Sequence, residues 1–316
     1  MKSSGGRILV IRGGAIGDFI LTLPAIAALR QQFPESHLEV LGYPHIVQLA
    51  VTAGLVDAAR SIDARPLAGF FARGGVLAEE MADYFSEFDL IVSYLYDPDH
   101  IFRLNIARCS PAQFIAGPHR PDERSNTHAT EVYLKPLERL AIFDADPVPK
   151  LRLAALPNSN KEPPLALHPG SGSDAKNWPE AAWGDLLEHL ILGTRHELLL
   201  VGGEAEGQRL QRLSAALPPT RVRVAQSLPL PELAVRLAMC RGFIGHDSGI
   251  SHLAAAVGLP CLLLWADTAE AIWRPAGNNV AILRHSAGLA ELPTRDVVEK
   301  VEQLWGKTSA IGNRHQ

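Results

Sequence analysis

Cysteine is scarce in this chain of 316 residues, which holds only Cys109, Cys240 and Cys261. They are widely separated and offer neither a paired metal-binding spacing nor a redox dithiol, so they read as small core residues in a reducing compartment. An excess of either charge is also missing. Thirty basic residues stand against 34 acidic ones, a net charge of −4, and without a basic tail nothing points to nucleic acid as a partner. Long apolar runs are absent too. A stretch such as Leu259 to Ala266 falls far short of the roughly 20 residues of a membrane span, and Met1 to Gly6 lacks the apolar core of a signal peptide. A soluble, cytoplasmic protein with no transmembrane segment is expected.

The chain does have ample material for a core, with 47% apolar residues, and its length favours two domains over one. Apolar runs at Ile8 to Ile11, His37 to Leu41, Leu90 to Tyr94 and Gln113 to Ala116 read as strands, with a helix over Asp18 to Gln32. This alternation is the signature of a parallel α/β sheet. It breaks at the polar, proline-bearing stretch Ala155 to Pro164, which reads as a linker. It then restarts with Leu165 to His168, Glu197 to Val201, Arg221 to Val224, Gly242 to Gly245 and Cys261 to Trp265. Two Rossmann-like domains are expected, over 1–157 and 158–316, with ligands bound beyond the carboxyl ends of the strands in a cleft between them.

Four motifs fall at such strand ends. The segment from Gly245 to Pro260 packs Asp247, Ser248 and His252 into a strand-to-helix turn, where unpaired N–H groups attract phosphate. Asp247 or Ser248 can equally serve only as a helix cap, and His252 as a buried core histidine. Arg12 to Asp18 carries Gly13, Gly14 and Gly17, which let backbone approach a ligand. Arg12 replaces the first glycine of a dinucleotide fingerprint, although Glu39 resembles the ribose-binding acid of such folds. Asp18 suits either a cap or a general base. His168 to Pro179 sets small residues before Lys176, a pattern suited to phosphate but without Walker spacing; the plainer reading is a surface turn with a solvated lysine. In Val201 to Glu206, acids follow a strand, to bind ribose hydroxyls or simply to favour a helix start.

The order Gly17-Asp18, Thr22-Leu23-Pro24, His168-Pro169-Gly170, Lys176, Trp178-Pro179, Gly202-Gly203, Asp247-Ser248-Gly249 and His252-Leu253-Ala254-Ala255-Ala256 resembles glycosyltransferase family 9, the ADP-heptose:lipopolysaccharide heptosyltransferases. The resemblance spans nearly the whole chain. It implies a GT-B fold and an inverting transfer from an ADP-sugar, with no metal or other cofactor required. The N-terminal domain would hold the acceptor, a lipid-linked saccharide of the lipopolysaccharide core or a related surface glycan, with peripheral contact at the inner membrane. The C-terminal domain would bind the nucleotide sugar. Carried onto this sequence, Asp18 becomes the catalytic base beside an acceptor-side loop of Gly13, Gly14 and Gly17. Ser171, Gly172 and Lys176 hold the donor's phosphates, Glu206 its ribose, and Leu228 lies near adenine. Asp247, Ser248, Gly249 and His252 form the donor-binding turn. One departure stands out: Ala266-Asp267-Thr268 replaces the family's usual Gly-Pro-Thr or Gly-Ala-Thr, so Asp267 either alters sugar specificity or faces solvent. Arg60, Arg65, Arg73, Arg103, Arg120 and Arg124 are candidates for an anionic acceptor, and Thr294 to Trp305 reads as a final amphipathic helix that in this fold often crosses back to the first domain.

Three alternatives stay open at this stage. A nicotinamide-dependent oxidoreductase would use the Gly13 to Gly17 turn, a hydrolase would use Ser248 with His252, and a noncatalytic protein would only bind nucleotide sugars.

Overall fold

The computed structural model describes residues 5–153, 162–173 and 176–306. The expected boundary at 157/158, most of the expected linker, Met1 to Ser4, and Asp174 and Ala175 of the lysine loop lie outside these residues. The chain divides into two compact units, Met1–Leu153 with Glu270–Ala276, and Ala154–Ala269 with Gly277–Gln316.

In the first unit the order is β1 (Arg7–Arg12), α1 (Ile16–Gln32), β2 (His37–Gly42), α2 (Pro44–Thr52), β3 (Ala58–Ser61), a 3-10 helix (Arg65–Phe71), α3 (Glu79–Ser86), β4 (Leu90–Ser93), α4 (Ile101–Ala107), β5 (Gln113–Ala116) and α5 (Ala129–Leu134). Its five strands are all parallel, in the order β3-β2-β1-β4-β5. The inner strands are covered on both faces, which is why they read as continuous apolar runs. Leu9, Ile11, Leu41 and Ile91 from the sheet meet Phe70, Phe85 and Phe102 from the layer above.

The second unit runs β6 (Leu165–Leu167), α6 (Glu180–Gly193), β7 (Leu198–Gly202), α7 (Gly207–Ala215), β8 (Val222–Gln226), α8 (Leu230–Ala238), β9 (Gly242–His246), α9 (Gly249–Ala256) and β10 (Cys261–Leu264). After α10 (Glu270–Trp273), which belongs to the first unit, come β11 (Val280–Leu283) and α11 (Thr294–Trp305). Its six parallel strands are ordered β11-β10-β9-β6-β7-β8. Leu165, Leu167, Leu198, Leu200 and Ile244 pack with Trp178 and Trp183. Cys240 and Cys261 are buried and Cys109 is partly so, all three as free thiols.

Two strands escaped the sequence pattern. Both are edge strands: β3 ends in Arg60 and Ser61 and forms no apolar run, whereas β11 is the apolar run Val280–Leu283, too short by itself to mark a strand. The final helix spans the expected residues, and it stays with the second unit, where Val297 and Val301 join the core around Trp183. The segment Glu270–Ala276 returns to the first unit instead. There the Arg274 carbonyl accepts from His128 Nε2 at 2.8 Å, and Trp273 Nε1 donates to Glu123 at 3.3 Å. Among the described residues, no helix is long and apolar enough to cross a membrane.

Each sheet reverses its direction of growth once, between β1 and β4 and between β6 and β9. At such a switch point the connections leave in opposite directions, and a crevice opens beyond the carboxyl ends of the two strands. The loops after β1, β6 and β9 are therefore the ones placed to meet a ligand.

Tyr94, just past β4, is 1% exposed and donates its hydroxyl to the Tyr133 carbonyl at 2.7 Å. A Cβ on Gly117 would lie 2.6 Å from its ring, which is pinned and cannot yield. Gly117→Ala is expected to cost about 1–3 kcal/mol, read as a lower urea midpoint at unchanged slope; an unaltered midpoint would show that the ring is free to shift.

Candidate active site

β1 ends in an arginine whose side chain is only 2% exposed. Arg12 donates to the carbonyls of His119 at 2.9 Å, Tyr94 at 3.3 Å and Asp18 at 3.3 and 3.4 Å, and its guanidinium lies 4.6 Å from the Tyr133 ring centre. A guanidinium suits this position because its planar fork of five donors can meet several fixed carbonyls together. Its NH2 also stands 3.6 Å from Asp18 Oδ1. The other carboxylate oxygen, Oδ2, accepts the Ala15 N–H at 3.0 Å. Asp18 is not the cap of α1, which is Ala15, but the third residue of the helix, and it serves the helix start by reaching back to the cap's N–H with a side chain that remains 28% exposed. Gly14 adopts φ +99°, and a Cβ there would sit 2.9 Å from Asp18 Oδ2, so the carboxylate's approach requires glycine. Gly13 has ordinary spacing to its neighbours, and Gly17 lies in the first turn of α1 rather than in the loop.

In the second unit the expected donor residues follow the carboxyl ends of β6, β7, β8 and β9. Lys176 Nζ is 2.7 Å from Asp247 Oδ2, joining a side chain 40% exposed to one only 9% exposed. The solvated-lysine reading therefore fails. Ser248 caps α9 by accepting the Ser251 N–H at 3.3 Å, and its hydroxyl lies 3.4 Å from His168 Nδ1. Gly249 opens α9 and His252 is buried within it. Ser171 Oγ lies 2.7 Å from Asn177 Oδ1, and Gly172 takes the left-handed conformation at φ +74°. Glu206 accepts the Gly203 N–H at 2.8 Å, and its carboxylate lies over Gly170, where a Cβ would come within 2.6 Å of Oε1. Leu228 is half-buried between β8 and α8. Asp267 is exposed and lines a hollow of about 330 Å³ together with Arg284, His285 and Ser286.

Sequence reasoning passed over the residues that hold these loops. His246 ends β9 fully buried; its Nε2 accepts the Trp178 N–H at 2.9 Å and its Nδ1–H donates to the Gly170 carbonyl at 3.2 Å. A backbone N–H on one side and a carbonyl on the other leave a single neutral tautomer that serves both. Arg209 on α7 donates to the Pro169 carbonyl at 3.0 Å. The signal was present for two of them: Arg12 and His246 are polar residues closing otherwise apolar strands.

Residues 128–303 match glycosyltransferase family 9 (heptosyltransferase). The chain belongs to glycosyltransferase family 9. Lipopolysaccharide heptosyltransferase 3 of Escherichia coli K12 is 22% identical over 342 residues, covering 95% of this chain and 98% of that protein. Lipopolysaccharide heptosyltransferase 1 of Pseudomonas aeruginosa is 33% identical over 132 residues, 42% of this chain and 33% of that one. The crystal structure of a family 9 glycosyl transferase from Veillonella parvula superposes with a TM-score of 0.77 at 19% identity, over 96% of this chain and 98% of that one. For E. coli heptosyltransferase WaaC with ADP the TM-score is 0.75 at 19% identity, over 94% and 99%.

The protein is a glycosyltransferase with the two parallel-sheet α/β domains of the GT-B fold. The stretch matching the family contains every expected donor residue but not Asp18. Two of the competing readings, the oxidoreductase and the hydrolase, sit poorly with the structure. Glu39, expected to hold ribose in a dinucleotide site, is 6% exposed within β2 and accepts the Tyr84 hydroxyl at 2.7 Å, while the Ser248 hydroxyl is engaged at the α9 cap.

Burial pushes the His168 imidazole down to about 4 and His246 down to about 3, with Arg209 adding to both. Each titrates near 6.5 when unfolded, so the unfolded chain takes up protons first and stability falls as pH drops below 6.5 toward the folded values. The expected loss is about 2 kcal/mol for each histidine by pH 5 relative to pH 7.5. Urea unfolding across that range measures it; a flat profile would mean that neither ring stays neutral in the fold.

Proposed function

We propose that this glycosyltransferase moves a heptose or related sugar from an ADP-sugar to a saccharide of the lipopolysaccharide core or a related surface glycan, with inversion at the transferred carbon. The observation that carries this reading is the Lys176–Asp247 pair at 2.7 Å, set at the switch point between β6 and β9 beside the start of α9. A cation held by a buried carboxylate next to free helix N–H groups suits a diphosphate that gains charge as it leaves. Two neighbouring structures support the donor class: heptosyltransferase WaaC is described with ADP and with ADP-2-deoxy-2-fluoro heptose.

In this reaction Asp18 takes the proton of the acceptor hydroxyl as its oxygen attacks the anomeric carbon. Attack comes from the face opposite the diphosphate, so the C–O bond to ADP breaks as the new glycosidic bond forms and the configuration inverts. Lys176, Ser171 and Gly172 meet the phosphates, with His252 close to them. Asp247 fixes the lysine and faces the sugar, together with Ser248 and Gly249. Glu206 takes the ribose and Leu228 lies against adenine. Arg12 acts through Asp18, whose main chain and carboxylate it holds. No separate cofactor is needed. The acceptor is lipid-linked, so the enzyme works in the cytoplasm at the inner face of the membrane.

Asp18→Asn keeps an oxygen for the Ala15 N–H while removing the base. The turnover of ADP-heptose with a core acceptor, followed as ADP release, is expected to fall about 10²- to 10⁴-fold, with ADP affinity unchanged by calorimetry. Full turnover in that variant would remove Asp18 from the role. Lys176→Ala leaves Asp247 buried and unpaired where the phosphates should sit, so ADP affinity is expected to weaken about tenfold or more. Unaltered affinity would place the diphosphate elsewhere.

A further inference from the structure

The loops that follow β4 and β5 bring an exposed pair of rings beside Asp18. Tyr96 is 71% exposed, and its ring centre stands 4.6 Å from that of His119, with the planes inclined at 59°. A single exposed tyrosine is ordinary on a protein surface; this one sits on a braced frame. β4 lies between β1 and β5, so the three carboxyl ends open on the same side of the sheet. One guanidinium then gathers all three following segments. Arg12 Nη1 donates to the Tyr94 carbonyl at 3.3 Å and to the His119 carbonyl at 2.9 Å, while Nη2 donates to the Asp18 carbonyl at 3.3 Å and stands 3.6 Å from Asp18 Oδ1. The hydroxyl of Tyr94 is held as well, on the Tyr133 carbonyl. Tyr96 thus lies two residues beyond a pinned point, and the backbone of His119 is itself pinned. Burial lowers the His119 imidazole from its ordinary value, Arg12 and Arg120 add to this and Asp18 opposes it, so the ring lies within the field of that carboxylate.

Neither the Tyr96 hydroxyl nor a ring nitrogen of His119 has a partner among the described residues. Charge around the pair has both signs. The Asp97 carboxylate is engaged by the N–H groups of Phe102 and Arg103, Arg120 stands 3.4 Å from Glu123 and over the Trp273 ring, and Asp99, Asp122 and Arg124 are exposed. Such surroundings do not select an ion. An aromatic face with a hydroxyl and an imidazole at its edges suits an uncharged sugar ring instead. The C–H bonds of a pyranose, made positive by the oxygens they adjoin, lie against the negative face of the aromatic ring, while its hydroxyls reach the polar edges.

We infer that Tyr96 and His119 form the platform on which an uncharged sugar ring of the acceptor lies while the acceptor hydroxyl meets Asp18. Tyr96 supplies the stacking face and His119 hydrogen bonds to the sugar's hydroxyls. Because Arg12 holds both platform segments and the base, the distance between the sugar's resting place and the carboxylate is set before the acceptor binds. The inference rests on the saccharide acceptor and on the role of Asp18 proposed above, and it names the residues that select and position that acceptor.

The test is titration calorimetry of the full chain with a deacylated core oligosaccharide, in the absence of donor. Tyr96→Ala is expected to weaken binding about tenfold, and Tyr96→Phe, which keeps the ring face, to stay within about twofold of the parent chain. The tenfold ratio is expected to persist in about 0.5 M salt, since the contact is uncharged. His119→Ala leaves the carbonyl that Arg12 holds and is expected to weaken binding about threefold. In turnover with ADP-heptose, the acceptor KM of Tyr96→Ala is expected to rise by far more than kcat changes, with ADP affinity and melting temperature those of the parent chain. Equal binding by Tyr96→Ala, or no binding by the parent chain, overturns the inference. So does Tyr96→Phe binding as weakly as Tyr96→Ala, which would make the hydroxyl the contact, and so does a loss of ADP affinity in Tyr96→Ala, which would assign the ring to the donor. Asp18→Asn is expected to bind the oligosaccharide like the parent chain, so failure of the base shows in turnover and failure of the platform in binding.

Discussion

A parallel strand covered on both faces takes a polar side chain only where a partner meets it, as Tyr84 meets Glu39 within β2, and partners are most readily supplied at its carboxyl end. That constraint organises both units. The inner strand β1 is apolar until Arg12, and β9 until His246. Each of these polar residues then becomes the post to which neighbouring loops are tied. Arg12 draws together the start of α1, the end of β4 and the loop after β5 through carbonyl oxygens. His246 ties the loop after β6 to β9 through Gly170 and Trp178. The two posts solve the cost of burial differently. The arginine stays charged and meets it with several carbonyl dipoles and a ring face, whereas the histidine gives up its charge.

The loops so held are shaped by close approach, which explains where glycine is needed. Gly14 and Gly170 lie under the carboxylates of Asp18 and Glu206, each of which would collide with a Cβ. Gly172 is required for a different reason, its left-handed backbone, since the space around it is open. Gly13 meets neither condition. A run of glycines in the sequence therefore mixes residues that make room for a carboxylate with others that do not.

The sequence displayed the inner strands and the strand-end motifs because burial on both faces writes an unbroken apolar run, and the following turn must then be polar or small. The edge strand β3 was hidden because its exposed residues carry no such run, and β11 because a run of only Val280–Leu283 does not distinguish a strand from other buried structure. The donor-side residues were legible as types at fixed offsets, but the pairing of Lys176 with Asp247, 71 positions away, depends on β6 and β9 being neighbours. Local pattern does not encode that adjacency. The same holds for Arg12, whose partners Tyr94 and His119 come from the far side of the switch point. The resemblance offered the last helix as the segment that often crosses back, whereas Glu270–Ala276 is the segment that joins the first unit; an amphipathic stripe shows that a helix packs without showing on what.

In the proposed reaction Asp18 joins a structural and a chemical role in one carboxylate. Capping fixes Oδ2 on the Ala15 N–H and Arg12 stands beside Oδ1, so the group is held in a defined orientation before any substrate arrives. In the proposed transfer this removes a cost, because a base that must first reorient raises the barrier by the free energy of doing so. Partial exposure is then a requirement, since a fully buried carboxylate could not reach an acceptor hydroxyl. In the proposed transfer the contact with the cap's N–H supplies the rigidity on which the base depends, so the two readings of Asp18 do not compete.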